Sequence, residues 1–177
     1  MKVCILGLDI GKNTGWAVMS ASDSGIELKD YGIIRSKDHV DFYKKIRQRI
    51  EDELSITDKD VFYIAYEEVL FNKSIAAARA YGGYIAALKI ACDSAGVKNQ
   101  LIPLAVSEVK KYVGGSHVAN KDEVAKGLEF FDLRIKARLP DDITDAIAVA
   151  LTACGPVFMP GKIKERFHEK GTDDEEI

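Results

Sequence analysis

Hydrophobic positions along this chain fall into two rhythms, short continuous blocks and helical spacings of three to four, and their alternation predicts an α/β domain. Val3 to Leu8 is uninterrupted by any polar side chain, the pattern of a central strand covered on both faces. Gly11 to Gly15 marks a tight turn, and Trp16 to Ser20 returns as a second strand. After Ser22-Asp23-Ser24-Gly25, a more polar third strand over about Ile26 to Ser36 completes an antiparallel meander. A polar helix follows from about Val40 to Leu54, with Phe42, Ile46, Ile50 and Leu54 at a spacing of four. Residues 61–67 form the fourth strand.

An alanine-rich helix then runs from about Ser74 to Ala95, interrupted by Gly82-Gly83. Small residues there permit close backbone approach, either to a partner subunit or to the chain's own sheet. Gln100 to Leu104 is a short fifth strand, and Val106 to Val113 a short helix. Asn120 caps a helix from Lys121 to about Phe131. The last helix, Asp142 to Ala153, is nearly uncharged after Asp145 and is stopped by Gly155-Pro156. One domain over residues 1–160 and a charged tail at 161–177 is the simple organisation.

Four acids stand where these apolar blocks end. Asp9 closes the first strand, Glu67 closes the fourth, and Asp142 and Asp145 open the last helix. If folding unites those ends, like charges crowd and each raises the cost of ionising its neighbours. A hard divalent cation with oxygen ligands offsets such repulsion. The pattern therefore points to metal-dependent phosphoryl transfer, and first to a nuclease. Each position has a plainer reading. Asp9 before Gly11 is also a turn former. Glu67 and Glu68 lie on opposite faces of one strand, so only one can share a site with Asp9, and alternation does not choose between them. Asp142 and Asp145, three apart on one helix face, also suit an ordinary acidic N-terminus with Asp142 as cap. The run Ala146 to Leu151 leaves Asp145 little solvent, however, and a buried acid needs a partner or a metal.

Composition adds limits. Hydrophobic residues at 47% and charged residues at 30% of 177 are ordinary for one folded domain. A net charge of −3 does not advertise a nucleic-acid binder, although the last five residues alone supply four acids. Cys4, Cys92 and Cys154 are odd in number and each lies in an apolar block, which predicts buried free thiols. With no run near the ~20 residues of a bilayer span and no leader-like pattern at Met1-Lys2-Val3-Cys4, a cytoplasmic location is expected. Lys110, Lys111 and Lys121 flank Gly114-Gly115-Ser116 and are candidates for phosphate contact. Phe71, Asn72 and Lys73 follow Glu67 closely and could reach a substrate, Phe71 as a wedge between bases. Lys44, Lys45, Arg47 and Arg49 read as a solvated helix face. His39, His117 and His168 have no metal-ligand or triad spacing.

In order, these pieces resemble the RuvC family of Holliday-junction resolvases within the RNase H-like superfamily. The matching residues are Ile5-Leu6-Gly7-Leu8-Asp9-Ile10-Gly11 with Thr14-Gly15, Tyr66-Glu67-Glu68-Val69, Val109-Lys110, Lys121, and Asp142-Ile143-Thr144-Asp145 through Ala150. The resemblance covers about residues 3 to 154. It implies an RNase H-like fold with a five-stranded mixed sheet flanked by helices. It makes Asp9, Glu67, Asp142 and Asp145 the metal-binding acids, choosing Glu67 over Glu68, and puts Lys110 and Lys121 at basic active-site positions. It further implies two Mg²⁺ ions about 4 Å apart, replaceable by Mn²⁺. The implied assembly is a homodimer with the 74–95 helix in its interface, cutting four-way DNA junctions by paired nicks that leave 5′-phosphate and 3′-hydroxyl ends. A shorter turn after Asp9 and the acidic balance are departures from the family pattern and point to a divergent or phage-type member. Two other classes compete. An actin-like phosphotransferase would hold nucleotide phosphate at Asp9-Ile10-Gly11 but needs a second domain of similar size. A non-catalytic branched-DNA-binding module would have no use for all four acids.

Overall fold

The computed structural model describes residues 2–56, 60–69, 74–129, 131, 133 and 139–158. Five strands form one mixed sheet: β1 (Val3–Asp9), β2 (Asn13–Ser22), β3 (Gly25–Arg35), β4 (Val61–Glu68) and β5 (Leu101–Ala105). Their order is β3-β2-β1-β4-β5. The meander pairs antiparallel, whereas β4 runs parallel to both β1 and β5. This is the expected five-stranded mixed sheet. β2 starts earlier than its sequence suggests, because Thr14 and Gly15 already pair with Ile34 and Ile33 of β3. The turn after Asp9 is thereby reduced to Ile10 through Lys12.

Helices cover both faces, and strand alternation sorts the side chains between them. Cys4, Leu6 and Leu8 of β1 with Phe62, Ile64 and Tyr66 of β4 pack under α1 (His39–Ser55) and α2 (Ile75–Ser94). Val3 and Ile5 with Ala65 pack on the other face under α3 (Val106–Gly114), α4 (Lys121–Glu129) and α5 (Asp141–Phe158). Asp9 and Glu67 continue the odd-numbered series on this second face.

Helix α5 lies directly on the sheet backbone. A side-chain carbon at Gly7 would stand 2.6 Å from the Ala150 methyl group, and one at Gly15 would collide with the Asp142 carbonyl. Ala146 to Leu151 are fully buried in this contact. The helix also runs on through Gly155 and Pro156 to Phe158, where the sequence predicts a stop. Gly155 lies flat against the Tyr112 ring. Docking of the apolar turns before it overrides the loss of one backbone hydrogen bond at proline.

Arg49 departs from the solvated reading of its helix. Its guanidinium sits 4.0 Å from the centre of the Trp16 ring and pairs with the buried Glu53. Lys45 and Arg47 do form ordinary exposed pairs with Asp41 and Glu51. At the Gly82-Gly83 interruption the two readings divide. Gly83 makes room for the His39 ring of the same chain, whereas Gly82 faces open space. His39 Nε2 also donates to the Ala80 carbonyl at 3.0 Å, fastening α1 to α2. Both sheet edges are blunt: β3 exposes Glu27, Lys29 and Asp30, and β5 has five residues with Pro103 exposed at its centre.

These contacts predict opposite outcomes for two glycines. Gly15→Ala should lower stability by about 2–3 kcal/mol through overpacking. Gly82→Ala should raise it by about 0.5–1 kcal/mol by removing a mid-helix glycine. Urea unfolding midpoints at unchanged slope test both, and equal shifts for the two variants would refute the helix-on-backbone contact.

Candidate active site

The site lies where β1 and β4 end and α5 begins. Asp9 is paired with Gly15 across the antiparallel ladder, and Gly15 rests against the Asp142 carbonyl. One strand pairing and one backbone contact thus connect Asp9 to the first turn of α5. On the other side of β1, Leu8 is level with Tyr66, so Glu67 comes next to Asp9 at the sheet's end. Glu67 is half-buried on this face and Glu68 is exposed on the opposite one. Asp142 and Asp145, one turn apart on α5, are both half-buried. Asp142 lies inside the helix and does not cap it; the Pro140 carbonyl accepts the Ile143 and Thr144 N–H groups.

The electrostatics record this crowding. Asp9 is pushed up to about 7, first by burial and then by Asp145, Glu67 and Asp142, with Lys121 opposing. Glu67 is raised by burial and by Asp145, against Lys110. Asp145 is raised by burial and by Asp141 and Asp142, against Lys121 and Lys110. Three of the acids therefore act on Asp9, and Asp145 acts on Glu67 as well, while two lysines supply the opposing charge. Lys121 is itself raised, chiefly by its hydrogen bond to Asp141 at 2.8 Å and further by Asp145 and Asp9. Asp141, the first residue of α5, is thus the direct partner of Lys121.

Lys110 and Lys121 come from α3 and from the start of α4, which Asn120 and Glu123 cap reciprocally. The Glu123 N–H donates to Asn120 Oδ1 at 3.0 Å, and the Asn120 N–H donates to Glu123 Oε2 at 2.7 Å. Lys111 is exposed on α3. Phe71, Asn72 and Lys73 lie outside the described residues.

Two polar contacts of the site escape a reading of the sequence. Thr14, fully buried, closes the turn after Asp9: its Oγ1 donates to the Gly11 carbonyl at 2.7 Å and accepts the Gly11 N–H at 3.2 Å. Tyr81 of α2 reaches the end of β4, donating to the Glu67 carbonyl at 2.6 Å and accepting the Val69 N–H at 3.2 Å. Thr14 is at least adjacent to the Asp9 motif, whereas nothing local marks Tyr81.

The donor set is carboxylate only, which suits a hard oxygen-seeking dication such as Mg²⁺ or Mn²⁺ and not zinc. Among the described residues no three acidic, histidine or cysteine side chains converge on a single ligation point. The coupling of the acids is electrostatic and centres on Asp9.

A mixed sheet in this order, with clustered acids at the ends of β1, β4 and the N-terminus of α5, defines an RNase H-like nuclease. Comparison with known proteins narrows the class. Residues 5–153 match the family described as crossover junction endodeoxyribonuclease RuvC. The RuvC enzyme of Orientia tsutsugamushi (strain Boryong) is 30% identical over 156 residues, covering 84% of this chain and 93% of that protein. A Thermus thermophilus RuvC structure superposes with a TM-score of 0.68 at 26% identity, over 86% of this chain and 92% of that one. T. thermophilus RuvC in complex with a Holliday junction substrate shares the fold, with a TM-score of 0.70 at 24% identity over 84% of this chain and 91% of that one. The chain belongs to the RuvC family of crossover junction endodeoxyribonucleases, and identities near 30% fit the divergent member expected.

The raised acids set a pH dependence for the metal-free protein. Folded Asp9 keeps its proton up to about pH 7, whereas the unfolded chain loses it near the ordinary value of 3.8. The folded state therefore holds the extra proton between these values, and stability falls as pH rises through that window. In EDTA, Asp9→Asn should flatten the decline of urea-unfolding stability between pH 4 and 7. Parallel curves for wild type and variant would refute the crowding.

Proposed function

We propose that this chain cuts four-way DNA junctions by metal-dependent hydrolysis at the sheet end formed by Asp9, Glu67, Asp142 and Asp145. The charge that Asp145, Glu67 and Asp142 exert on Asp9, and Asp145 on Glu67, is the observation that carries this reading, because acids at unconnected element ends would not reach one another. These four carboxylates would hold two Mg²⁺ ions, with Mn²⁺ as a substitute. Such ions supply Lewis acidity to the attacking and leaving oxygens of an in-line displacement. The cluster's charge then favours the dication over the proton that Asp9 otherwise retains. Water adds to phosphorus as the P–O3′ bond breaks; the leaving oxygen takes a proton, giving 3′-hydroxyl and 5′-phosphate ends.

Lys121 would neutralise the phosphate charge that grows during attack. Its pair with Asp141 is exposed on both sides, so exchanging that carboxylate for a phosphate costs little. Lys110 and Lys111 on α3 would contact DNA, and so would Phe71, Asn72 and Lys73, which follow Glu67 in the sequence. Most of that contact would be with phosphates, so binding should weaken steeply with salt.

A two-fold dimer through α2 would set two such sites on opposing strands and give paired nicks. In support, positions 75–80 of α2 are all exposed, with Ile75 at 75% and Gly82 facing open space. No helix of the described residues is long and apolar enough to cross a membrane. The three cysteines are buried free thiols, which supports work in a reducing, cytoplasmic setting. The phosphotransferase reading has no comparable support, since the family match takes up residues 5–153.

Asp145→Asn should still shift a four-way junction in a gel yet cut it at least ~10²-fold more slowly. Metal Lewis acidity contributes several kcal/mol, and each ~1.4 kcal/mol is tenfold in rate. Cleavage at the wild-type rate would exclude Asp145 from the mechanism. Wild type should sediment as a dimer and Ile75→Glu as a monomer making uncoupled single nicks; a monomeric wild type would sink the α2 dimer.

A further inference from the structure

We propose that Tyr81 is a positioning residue that holds the Glu67 backbone in place at the thinning end of β4, and so fixes the carboxylate that this strand presents to the site. The inference rests on the reading of Glu67 as a metal ligand given above. Two acids end β4 side by side, and strand alternation gives them opposite faces. Register with β1 and β5 turns Glu67 toward α5, but how firmly its carboxylate is held depends on the backbone at the strand's last residues. There the ladder thins: pairing with β1 ends at Leu8 and Tyr66, and pairing with β5 ends at Glu68 and Ala105. From Glu67 onward β4 has no partner on the β1 side, and beyond Glu68 it has none in either ladder.

The Tyr81 hydroxyl occupies this gap. It donates to the Glu67 carbonyl at 2.6 Å and accepts the Val69 N–H at 3.2 Å, so one oxygen spans both peptide units around Glu68. Any swing of the strand end that moves the Glu67 carboxylate would strain or break at least one of these bonds.

The tyrosine is itself held from a fixed point. His39 of α1 binds the Ala80 carbonyl at 3.0 Å, and its ring fills the space left by Gly83. Tyr81 therefore lies between two α2 residues anchored to α1, where the exposed first turns give way to the packed part of the helix. Orientation of α2 is in this way transmitted to Glu67 through two hydrogen bonds.

Tyr81→Phe removes the oxygen and leaves the ring. By titration calorimetry its Mn²⁺ affinity should fall about tenfold, the loss typical of an outer partner of a metal ligand. Junction cleavage should lose a similar factor in kcat at unchanged KM. Added to Glu67→Gln, the Tyr81 change should reduce Mn²⁺ affinity no further; an independent, multiplicative loss would show that Tyr81 acts elsewhere and overturn the proposal. If Glu67→Gln is impaired while Tyr81→Phe binds Mn²⁺ like wild type, Tyr81 alone is refuted. If Glu67→Gln binds and cuts like wild type, the ligand reading falls and this inference with it. Should Tyr81→Phe fail to fold, wild-type hydrogen exchange decides: the Val69 amide should exchange about tenfold more slowly with Mg²⁺ than without, and equal exchange overturns the proposal.

Discussion

Contact between the α5 backbone and the β1–β2 ladder is the constraint on which the architecture turns. Without side chains at Gly7 and Gly15, the helix lies closer to the sheet than ordinary helix-on-sheet packing allows. That approach buries Ala146 to Leu151 completely. It also brings the Asp142 carbonyl against the residue paired with Asp9. The dry interior of the domain and the crowding of its acids are therefore produced by one packing event. A larger residue at either glycine would move both together.

Crowding carries a thermodynamic penalty that the fold accepts. Burial and three like charges hold Asp9 near neutrality, so the folded chain gives up stability as that acid ionises. Lys110 and Lys121 offset only part of the repulsion, and Lys121 is shared with Asp141. Sites that must concentrate charge are commonly less stable than an apolar alternative would be. Here the fold places that weakness at strand ends, where the ladders are already running out, and leaves the central strands undisturbed.

Much of this was legible in the chain. The blocks Val3–Leu8 and Val61–Tyr66 announced strands because no polar side chain interrupts them, and Phe42, Ile46 and Ile50 announced α1 by their spacing. Acids at the block ends marked the candidate site, and folding does bring their charges to bear on Asp9. Other features depended on tertiary facts. Whether Glu67 or Glu68 shares a face with Asp9 follows from register, since Leu8 opposite Tyr66 puts both odd-numbered acids on the α5 side; alternation within one strand carries no such information. Arg49 looked like its neighbours on α1 because nothing local reveals the Trp16 ring beneath it. The stop expected at Gly155-Pro156 failed because Gly155 serves packing against Tyr112 instead of ending the helix. The hydroxyls of Thr14 and Tyr81 act on backbone atoms, which leave no trace in side-chain pattern.

The two sheet margins have a consequence for assembly. A strand added alongside β3 would meet Glu27, Lys29 and Asp30, and one alongside β5 would find only five residues with a proline lacking its N–H at the centre. Lateral growth of the sheet into fibres or strand-swapped pairs is thus discouraged at both borders. Any contact between copies would fall to the helical surfaces above and below the sheet, which leaves undisturbed the hydrogen-bonded layer that organises the acids.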